Sequence, residues 1–595
     1  MNSSKQFSDI WDLDAIFPGG SESPEYAAFL KALEDDIERF GDRIRELETE
    51  GARAETFAPL VDAMQSAASR LTEAESFATC LASQNQKDKK AVAHGSAVRS
   101  IAAAFESRLT LFDRLLTKLP DDEWEAWMRT DALAPVAFPL TERRRLALDK
   151  LEPERESLIG DLAVDGYHGW SELYDTTVGT VEVPYEEADG TVSKLSAGQA
   201  QNKLYDPDKA VRDRTFAAWE AAWEDKEDFC ALALNRLGGF RLQAYKHRGW
   251  DSILKEPLDI NRMSAETLES MWGAIRRNRS FLSDYFAKKA ELLGVDKLSW
   301  TDVDAPIGAA GGKLTFQEGA DLIVDQFRAF SPKLADFSAG ALRDRWIEAE
   351  NRPNKRPGGF CTSFPEKKES RIFMTYDGSM NNVSTLAHEL GHAFHSHVMF
   401  DLPPLAQAYA MNVAETASTF AETIVSDATI RAAADRESKL SLLDDKIQRA
   451  VAFLMNIDAR FLFETRFYEE RKQGVVPAER LSELMAEAQR EAYHDALASY
   501  HPRFWASKLH FYITEVPFYN FPYTFGYLFS TGLYAVASAE GPAFEAKYVA
   551  LLRDTGRMTV EALAMKHLGV DLTKPEFWER SVATIRKDVE EFLAL

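Results

Sequence analysis

The sequence predicts an all-α protein with one small β element, and three features lead to this prediction. Apolar residues recur at helical spacing through long stretches in which Ala, Leu, Glu and Arg dominate. Signals for β-structure are short and few by comparison. The 595 residues, 45% hydrophobic and 28% charged, have the composition of a globular protein that can bury a large core. We therefore expect a large helical body.

The first half of the chain is predicted to be helical up to a short β-hairpin. Long helical stretches cover residues 26–49, 58–86 and 98–119, and a further helix follows Thr141. Residues 177–185 and 191–195 favour β-structure and flank Ala-Asp-Gly, which is typical of a hairpin turn.

We place a domain boundary near residue 200, just after this hairpin. The prediction is an N-terminal helical domain over residues 1–200 and a second domain over residues 201–595. The second domain contains every motif with chemical content described below. The second domain is therefore predicted to be the catalytic one.

The second domain contains the predicted β element and the helices around it. Residues 356–363 are predicted as a loop from their Pro and Gly content, and residues 371–376 as a short strand. A helix should follow, with Asn382 or Ser384 as its N-cap. The next long helical pattern covers residues 408–434.

Charge and cysteine content restrict the partners and the compartment. The formal net charge of −25 argues against non-specific binding to nucleic acid or to an anionic membrane. The three cysteines are odd in number and far apart, so we expect no disulfide framework and a cytoplasmic location.

Residues 1–20 lack the apolar core of a signal peptide. Residues 516–539 carry no charge, but their polar and Pro content favours a buried wall over a membrane span.

Residues 388–392 read His-Glu-Leu-Gly-His and carry the strongest chemical signal in the chain. On a helix, His388 and His392 point about 40° apart around the axis, so both imidazoles can reach one metal ion. Glu389 lies about 100° from His388 and can address a water molecule on that metal. This arrangement predicts a metal-dependent hydrolase with Glu389 as the general base.

A metal site of this type needs a third protein ligand. A histidine six residues after His392 would serve, but Val398 occupies that position. A carboxylate from the following helix is the other arrangement, and Glu415 lies 23 residues after His392 in the next predicted helix. Asp401 and Glu422 are the competing carboxylates. Glu415 is the predicted ligand.

Glu415, Ser418, Thr419 and Glu422 share one face of this next helix. Such a polar stripe either faces solvent or supports the metal site. Beside the histidine motif we favour the second interpretation, in which Ser418 or Glu422 orients a histidine ring. His395 falls on the same face as the ligands, and it can contact substrate or be a satisfied structural histidine.

The motifs together resemble the thimet-oligopeptidase and oligoendopeptidase F family of zinc metallopeptidases. The resemblance rests on residues 388–392 followed by Glu415-Thr-Ala-Ser418 and Glu422, and the start of the chain, Trp11-Asp-Leu-Asp, is similar to the oligoendopeptidase F branch. It implies a two-lobed helical fold with a deep substrate channel, one Zn²⁺ per chain, and cleavage of short peptides.

The resemblance also assigns aromatic residues to substrate binding and to stabilisation of the transition state. His510 and Tyr527 match the family pattern by their order and by the pair Gly526-Tyr527. Tyr512, Tyr519 and Tyr523 are the candidates for the remaining substrate contacts. The gap between His510 and Tyr527 is longer than in thimet oligopeptidase.

The sequence thus predicts a zinc-dependent endopeptidase that hydrolyses short peptides. Glu389 takes a proton from a water and passes it to the leaving amine, while Tyr527, with His510, donates to the oxyanion. Residues 371–376, taken as an edge strand, align the substrate backbone.

The alternative functions are a carboxypeptidase or peptidyl-dipeptidase of similar fold and a non-catalytic peptide-binding protein. We expect peptides as partners, neither nucleic acid nor membrane, and make no prediction of oligomeric state.

Overall fold

The computed structural model describes residues 6–187, 189–308, 313–433 and 435–595. Over this part of the chain, α-helices account for most residues, and five short strands form two small sheets. This confirms the prediction of an all-α fold with a small β element. The predicted helices at 26–49, 58–86 and 98–119 correspond to the first three helices of the structure.

The helices before residue 300 are α1 Pro24–Glu50, α2 Ala54–Gln84, α3 Lys89–Thr117, α4 Asp121–Trp127, α5 Ala137–Leu148, α6 Pro153–Ala163, α7 Gly169–Gly179, α8 Ala197–Lys203, α9 Lys209–Glu224, α10 Glu227–Arg248, α11 Lys255–Ile260, α12 Ala265–Asn278 and α13 Phe281–Leu293. Those after residue 300 are α14 Phe316–Phe330, α15 Pro332–Arg343, α16 Met380–Met399, α17 Pro404–Gln407, α18 Met411–Ala432, α19 Arg436–Val451, α20 Ile457–Arg471, α21 Ala478–Ala492, α22 Phe504–Ser507, α23 Phe521–Glu540, α24 Phe544–Asp554, α25 Val560–Leu568 and α26 Pro575–Ala594. The strands are β1 Glu182–Glu186, β2 Val192–Ser196, β3 Ile347–Glu348, β4 Phe360–Phe364 and β5 Glu369–Phe373.

The chain divides into two compact units, each built from separate stretches of sequence. Unit 1 contains the described residues of 1–150, 311–428 and 536–569, and unit 2 contains those of 151–310, 429–535 and 570–595. Both units therefore draw on the first and the second half of the chain. The sequential division at residue 200 stays a prediction.

Unit 1 combines a helical core with the three-stranded sheet β3-β5-β4. Helices α1, α2 and α3 pack on one another, with Phe57 and Phe112 stacked at 5.9 Å between ring centroids. Strand β5 is parallel to β3 and antiparallel to β4, and α16 packs against β4 and β5. The sheet therefore supports the helix that carries the histidine motif.

The strand predicted at 371–376 is present as β5, Glu369–Phe373, but its predicted role as an edge strand and the loop predicted at 356–363 are wrong. Because β5 pairs with β3 on one side and with β4 on the other, it is the central strand of this sheet. The loop predicted at 356–363 becomes strand β4 from Phe360 onward, which pairs with β5 on one side only in the described part of the chain. Local Pro and Gly content does not reveal this pairing, because the partner strand lies beyond a turn.

Unit 2 contains the predicted hairpin and a helical core with buried ion pairs. Strands β1 and β2 pair antiparallel from Glu182↔Ser196 to Glu186↔Val192, which confirms the hairpin, although residues 177–179 belong to α7. Helix α26 packs on α12, α13 and α19. Helices α19 and α20 run on through a π-helical turn, Ala452–Asn456.

None of the helices in the described ranges is long and apolar enough to cross a membrane. The uncharged segment at 516–539 instead supplies most of α23. Phe525 and Phe529 of this helix are buried and pack on Trp578 and Phe577 of α26. The segment is therefore part of the protein core, as its polar content predicts.

Candidate active site

Helix α16 carries the whole histidine motif because its start is fixed upstream of it. Ser379 is the N-cap, and its Oγ accepts a hydrogen bond from the Asn382 N–H at 3.3 Å. The prediction of Asn382 or Ser384 as the cap is therefore wrong. The Asn382 side chain instead accepts a 2.6 Å hydrogen bond from the Asp377 N–H and fixes the preceding turn.

Gly391, the fourth residue of the motif, allows α16 and α18 to approach at backbone distance. A Cβ atom at this position would lie 2.6 Å from the carbonyl oxygen of Ala417 and 2.6 Å from Cα of Ser418. Contacts this short are not tolerated, so only glycine fits without a shift of one helix. The close approach places Glu415 beside the two histidines, a role of Gly391 that sequence reasoning missed.

The three predicted metal ligands converge on one point. Glu415 Oε2 lies 3.3 Å from His388 Nε2 and 3.5 Å from His392 Nε2, and the three ligand atoms lie within 4.8 Å of one another. Two imidazole nitrogens and a carboxylate oxygen are a donor set that suits a transition metal such as zinc. Asp401, a competing candidate, pairs with Arg553 at 2.6 Å instead.

Two further residues of α18 contact these candidate ligands. His388 Nδ1 lies 3.2 Å from Glu422 Oε2. A carboxylate only accepts, so the tautomer with its proton on Nδ1 donates to Glu422 and would present the lone pair of Nε2 to a metal. The Ser418 hydroxyl donates to Glu415 Oε2 at 2.7 Å. Glu422 thus contacts a histidine ring as predicted, whereas Ser418 contacts the carboxylate.

Burial and charge set the protonation of the site. Burial, opposed by the nearby His388 and assisted by Glu415, raises the pKa of Glu389 to about 7. Burial also lowers the pKa of His392 to about 4. Burial disfavours the charged form of Glu415 as well, but its hydrogen bonds with His388 and Ser418 and the nearby His392 lower its pKa to about 2. Ionised Glu415 and neutral His392 are the forms that bind a metal.

A pocket of about 430 Å³ opens over the motif, and strand β4 forms one of its walls. Gly359, just before β4, lies over Glu389: a Cβ there would be 3.6 Å from Glu389 Oε1 and 3.2 Å from the Phe373 carbonyl oxygen. The residues around the pocket are Gly359, Phe360, Cys361, Ser363, His388, Glu389, His392, Ser396, Tyr409, Ala414 and Glu415.

His395 lies behind this pocket rather than on its wall. It is fully buried, with Nε2 2.9 Å from Thr555 Oγ1, and its ring stacks on Tyr409 at 4.3 Å and 7° between planes. Tyr409 does line the pocket, and sequence reasoning missed it because it falls outside every motif. A direct substrate contact for His395 stays a prediction, and the observed contact is with Tyr409.

In unit 2, three of the predicted substrate residues lie together. The rings of His510 and Tyr519 are 5.2 Å apart, and the Tyr523 hydroxyl donates to the Tyr519 hydroxyl at 3.4 Å. Burial and the nearby Arg460 and Lys508 cations together lower the pKa of His510 to about 4. His510 is therefore neutral at pH 7.

Tyr512, the third tyrosine left open by the sequence, lies elsewhere in unit 2. Its ring is buried and stacks on Tyr174 at 3.6 Å, and its hydroxyl donates to the Trp505 carbonyl at 3.2 Å. All of these contacts are with the protein core. The structure therefore separates Tyr512 from the group formed by His510, Tyr519 and Tyr523.

Tyr527 lies one turn further along α23. Its ring stacks on Phe453 of the π-helical turn at 4.6 Å. Tyr523 and Tyr527 are half-buried, whereas Phe525 and Phe529 are fully buried, so the tyrosines and phenylalanines occupy different faces as the sequence predicts.

The fold is helical, and two histidines and one glutamate form a candidate metal site with the buried carboxyl group of Glu389 beside it. These features are those of the metallopeptidase class. Comparison with known proteins gives the family. The model of peptidase family M3 matches residues 320–584, and the oligopeptidase F model matches residues 116–182. The chain belongs to peptidase family M3, within its oligoendopeptidase F branch.

Individual relatives are distant in sequence. Oligopeptidase PepF of Bacillus subtilis is 23% identical over 68% of this chain, and the match spans only 61% of that relative's own length. An oligoendopeptidase F homolog of Borreliella burgdorferi is 20% identical over 98% of this chain and 97% of its own. The crystal structure of oligoendopeptidase-F from Enterococcus faecium matches with a TM-score of 0.71 at 18% identity, over 96% of this chain and 98% of its own.

Proposed function

We propose that this protein is a zinc-dependent endopeptidase that hydrolyses short peptides. The observation that carries the proposal is the position of Glu415 Oε2, 3.3 and 3.5 Å from the Nε2 atoms of His388 and His392, in a pocket that Glu389 also lines. The substrate class is supported by relatives that are named oligopeptidases and oligoendopeptidases.

His388, His392 and Glu415 would hold the ion. The nitrogen-rich donor set fits zinc better than magnesium or calcium, which prefer all-oxygen sites. A bound zinc ion supplies Lewis acidity, which makes a water molecule acidic enough to react near neutral pH. Glu422 and Ser418 hold the ligands in orientation through their contacts with His388 and Glu415.

Glu389 acts as the general base and then as the general acid. Its carboxylate takes a proton from the attacking water and delivers it to the nitrogen of the leaving amine. A pKa of about 7 suits both transfers, because such a group gains and loses a proton with little free-energy change near neutrality. The sequence assigned the alignment of the substrate backbone to β5; we assign it instead to β4, whose second edge pairs with no strand among the described residues. The roles predicted for His510, Tyr519, Tyr523 and Tyr527 stay predictions.

The test is Glu389→Gln, with Glu483→Gln as a control on an exposed salt bridge of unit 2. We expect wild type and the control to cut a mixed library of short peptides internally, as read by mass spectrometry. Glu389→Gln should bind zinc at one equivalent and lose turnover by at least about 100-fold. Turnover retained by Glu389→Gln would remove its assignment as the base.

The two alternatives predict different results in the same experiment. A carboxypeptidase or peptidyl-dipeptidase would release one or two residues from the C-terminus and fail on amidated peptides. A non-catalytic peptide-binding protein would hold one zinc per chain and cut no peptide.

A cytoplasmic location is also a proposal, and the unpaired Cys80, Cys230 and Cys361 support it. The absence of nucleic-acid and membrane partners is a further proposal.

A further inference from the structure

Unit 2 contains a pocket of about 230 Å³ whose charged residues have no role in the chemistry described so far. Aromatic rings, among them Trp219, Trp300 and Phe504, supply much of its wall. Arg460 of α20 and Lys508, which follows α22, bring two cations to the same space. The pocket therefore combines apolar surface with concentrated positive charge.

The two cations of this pocket share one aromatic ring. Arg460 Cζ lies 5.1 Å and Lys508 Nζ 5.3 Å from the centroid of Phe504. Arg460 is held in place by neutral groups, because its Nε donates to Asn456 at 2.8 Å and its Nη1 to Asn520 at 2.7 Å. Within the described ranges, no carboxylate oxygen lies within 4.0 Å of either cation.

This lack of ion pairing contrasts with other cations of unit 2. Arg212 pairs with Asp302 at 2.8 Å and Lys289 with Asp444 at 3.1 Å, and all four side chains are almost completely buried. Such pairing is expected, because a buried charge without a partner is strongly disfavoured. Arg460 and Lys508 are half-buried neighbours, and neither has a carboxylate oxygen of the described residues within ion-pair distance, an arrangement that an anion would stabilise.

The pKa of Lys508 is lowered by this unfavourable arrangement. Burial and the neighbouring Arg460 lower the pKa of Lys508 to about 7, and Asp304 only partly opposes this. Asp304 is the carboxylate among the pocket residues, and it also interacts with Lys289 and Asp444. With Lys508 protonated, the Arg460, Lys508 and Asp304 group carries one net positive charge.

The pocket adjoins the group formed by His510, Tyr519 and Tyr523. Asn520, the partner of Arg460, is the neighbour of Tyr519 in the chain, and both pocket cations lower the pKa of His510. The π-helical turn Ala452–Asn456 supplies part of the wall, and such turns are frequent at functional sites. The cations are thus continuous with residues assigned to substrate binding.

We propose that Arg460 and Lys508 bind a carboxylate of the peptide substrate, in this pocket of unit 2. That the ligand is a peptide rests on the proposed function; that it is a carboxylate rests on the two cations. Both the C-terminus of a peptide and an acidic side chain offer this group. A planar carboxylate matches the free edge of a guanidinium, and the Phe504 ring keeps both cations in position.

The experiment measures binding without turnover, by isothermal titration calorimetry at pH 6.5 on the full-length Glu389→Gln variant. The probes are an Ala, Leu and Phe pentapeptide as free acid, the same peptide as C-terminal amide, and the amide with one internal Glu. We expect a probe with a carboxylate to bind at least about tenfold more tightly than the neutral amide. Binding of the first or of the third probe identifies the source of the carboxylate.

Variants locate the binding to the pocket. Lys508→Gln and Arg460→Gln, each added to Glu389→Gln, should bind all three probes about equally, while Lys508→Arg should keep the preference. Lys472→Gln and Arg480→Gln are matched controls, since the exposed Lys472 and the half-buried Arg480 pair with glutamates in the same unit, and both variants should keep the preference. Melting temperatures verify that each variant is folded.

The outcomes separate this proposal from the proposed function. Equal binding of all probes by Glu389→Gln, or a preference that survives Lys508→Gln, would overturn the carboxylate site even if wild type cleaves peptides. A wild-type protein that cleaves nothing, together with a carboxylate preference lost in Lys508→Gln, would overturn the peptidase and leave the binding site standing.

Discussion

At the scale of single residues, the most consequential position is one that the histidine motif leaves unspecified. Gly391 lies against the backbone of α18, where a Cβ would come within 2.6 Å of two atoms. The residue therefore sets the distance between the helix that carries His388 and His392 and the helix that carries Glu415, the three proposed metal ligands. Its importance follows from packing and not from chemistry.

We expect Gly391→Ala to destabilise unit 1 by about 2–3 kcal/mol, since the added methyl group overpacks a backbone contact. It should also weaken zinc binding, because α18 must shift. Urea unfolding and zinc titration measure the two effects. Gly160→Ala is the matched control, for its Cβ meets nothing within 4 Å, and a helical alanine there should be neutral or stabilising. Equal stability of the two variants would contradict the packing argument.

Glu422 allows a second test at the scale of single residues, because it contacts His388 and is not itself a proposed metal ligand. Loss of its hydrogen bond to His388 Nδ1 should lower zinc affinity about 10–100-fold in Glu422→Ala, which has no side-chain acceptor. Competition with a zinc chelator measures this affinity. The exposed Glu483→Ala variant is the control, and an unchanged affinity in Glu422→Ala would show that the contact does not orient the ring.

The candidate metal site could be predicted from the sequence because its residues lie at short, interpretable spacings, within one helix or from one helix to the next. His388 and His392 are four residues apart, which places them on the same side of one helix. Glu415 follows His392 by 23 residues, which is enough chain for a turn and a second helix that returns to the histidines. Tyr409 and the position of Tyr512 could not be read in this way, since they depend on which side chains meet across elements. Tyr512 stacks on Tyr174, which lies more than 300 residues earlier in the chain.

At the scale of elements, the start of α16 distinguishes two possible caps. Ser379→Ala should destabilise the protein by about 1 kcal/mol, because its hydroxyl accepts a hydrogen bond from the helix N-terminus. Ser384→Ala, which removes one of the two caps predicted from the sequence, should change stability by less than about 0.5 kcal/mol. Thermal melts of both variants decide between them, and a larger effect at Ser384 would reverse the assignment.

The ion pair between α9 and the turn at Asp302 gives a pH-dependent prediction. Burial raises the pKa of Asp302, but hydrogen bonds from Ser299 and Arg212 outweigh it and lower the value from 3.8 to about 2. A lowered carboxyl pKa means that the stabilisation is complete above about pH 4 and disappears as pH falls toward 2. Its size is on the order of 2 kcal/mol at pH 7.

Asp302→Asn should therefore be less stable than wild type by about this amount at pH 7, and by about half of it at pH 3. Urea unfolding at the two pH values measures the difference. The exposed Asp42→Asn variant serves as the control and should differ little from wild type at either pH. A difference that grows toward low pH would contradict the sign of the pKa shift.

Strand β4 shows why the small sheet was predicted only in part. Its residues follow Pro357-Gly358-Gly359, which indicates a loop, and its pairing with β5 is decided by residues that lie after the next turn. The helices were predicted more accurately because a helix is stabilised by its own hydrogen bonds and by one apolar face. A two-strand pairing has no such local signal.

At the scale of the whole molecule, both units have cores that do not involve the metal site. Unit 1 has its packed helices α1 to α3 and unit 2 its buried ion pairs. Metal removal by a chelator should therefore abolish peptide hydrolysis while the far-ultraviolet circular dichroism stays unchanged. Added zinc should restore activity and raise the melting temperature, by linkage of binding to folding. Loss of helix on chelation would show that the ion is structural.

The backbone contact at Gly391 has a final consequence for side-chain length. Since α16 and α18 already touch, they cannot move closer, and the glutamate must be long enough to reach both imidazoles across a fixed gap. Aspartate is shorter by one carbon–carbon bond, about 1.5 Å. Glu415→Asp would leave its carboxylate out of reach, so the separation of two helices selects one acidic amino acid over the other.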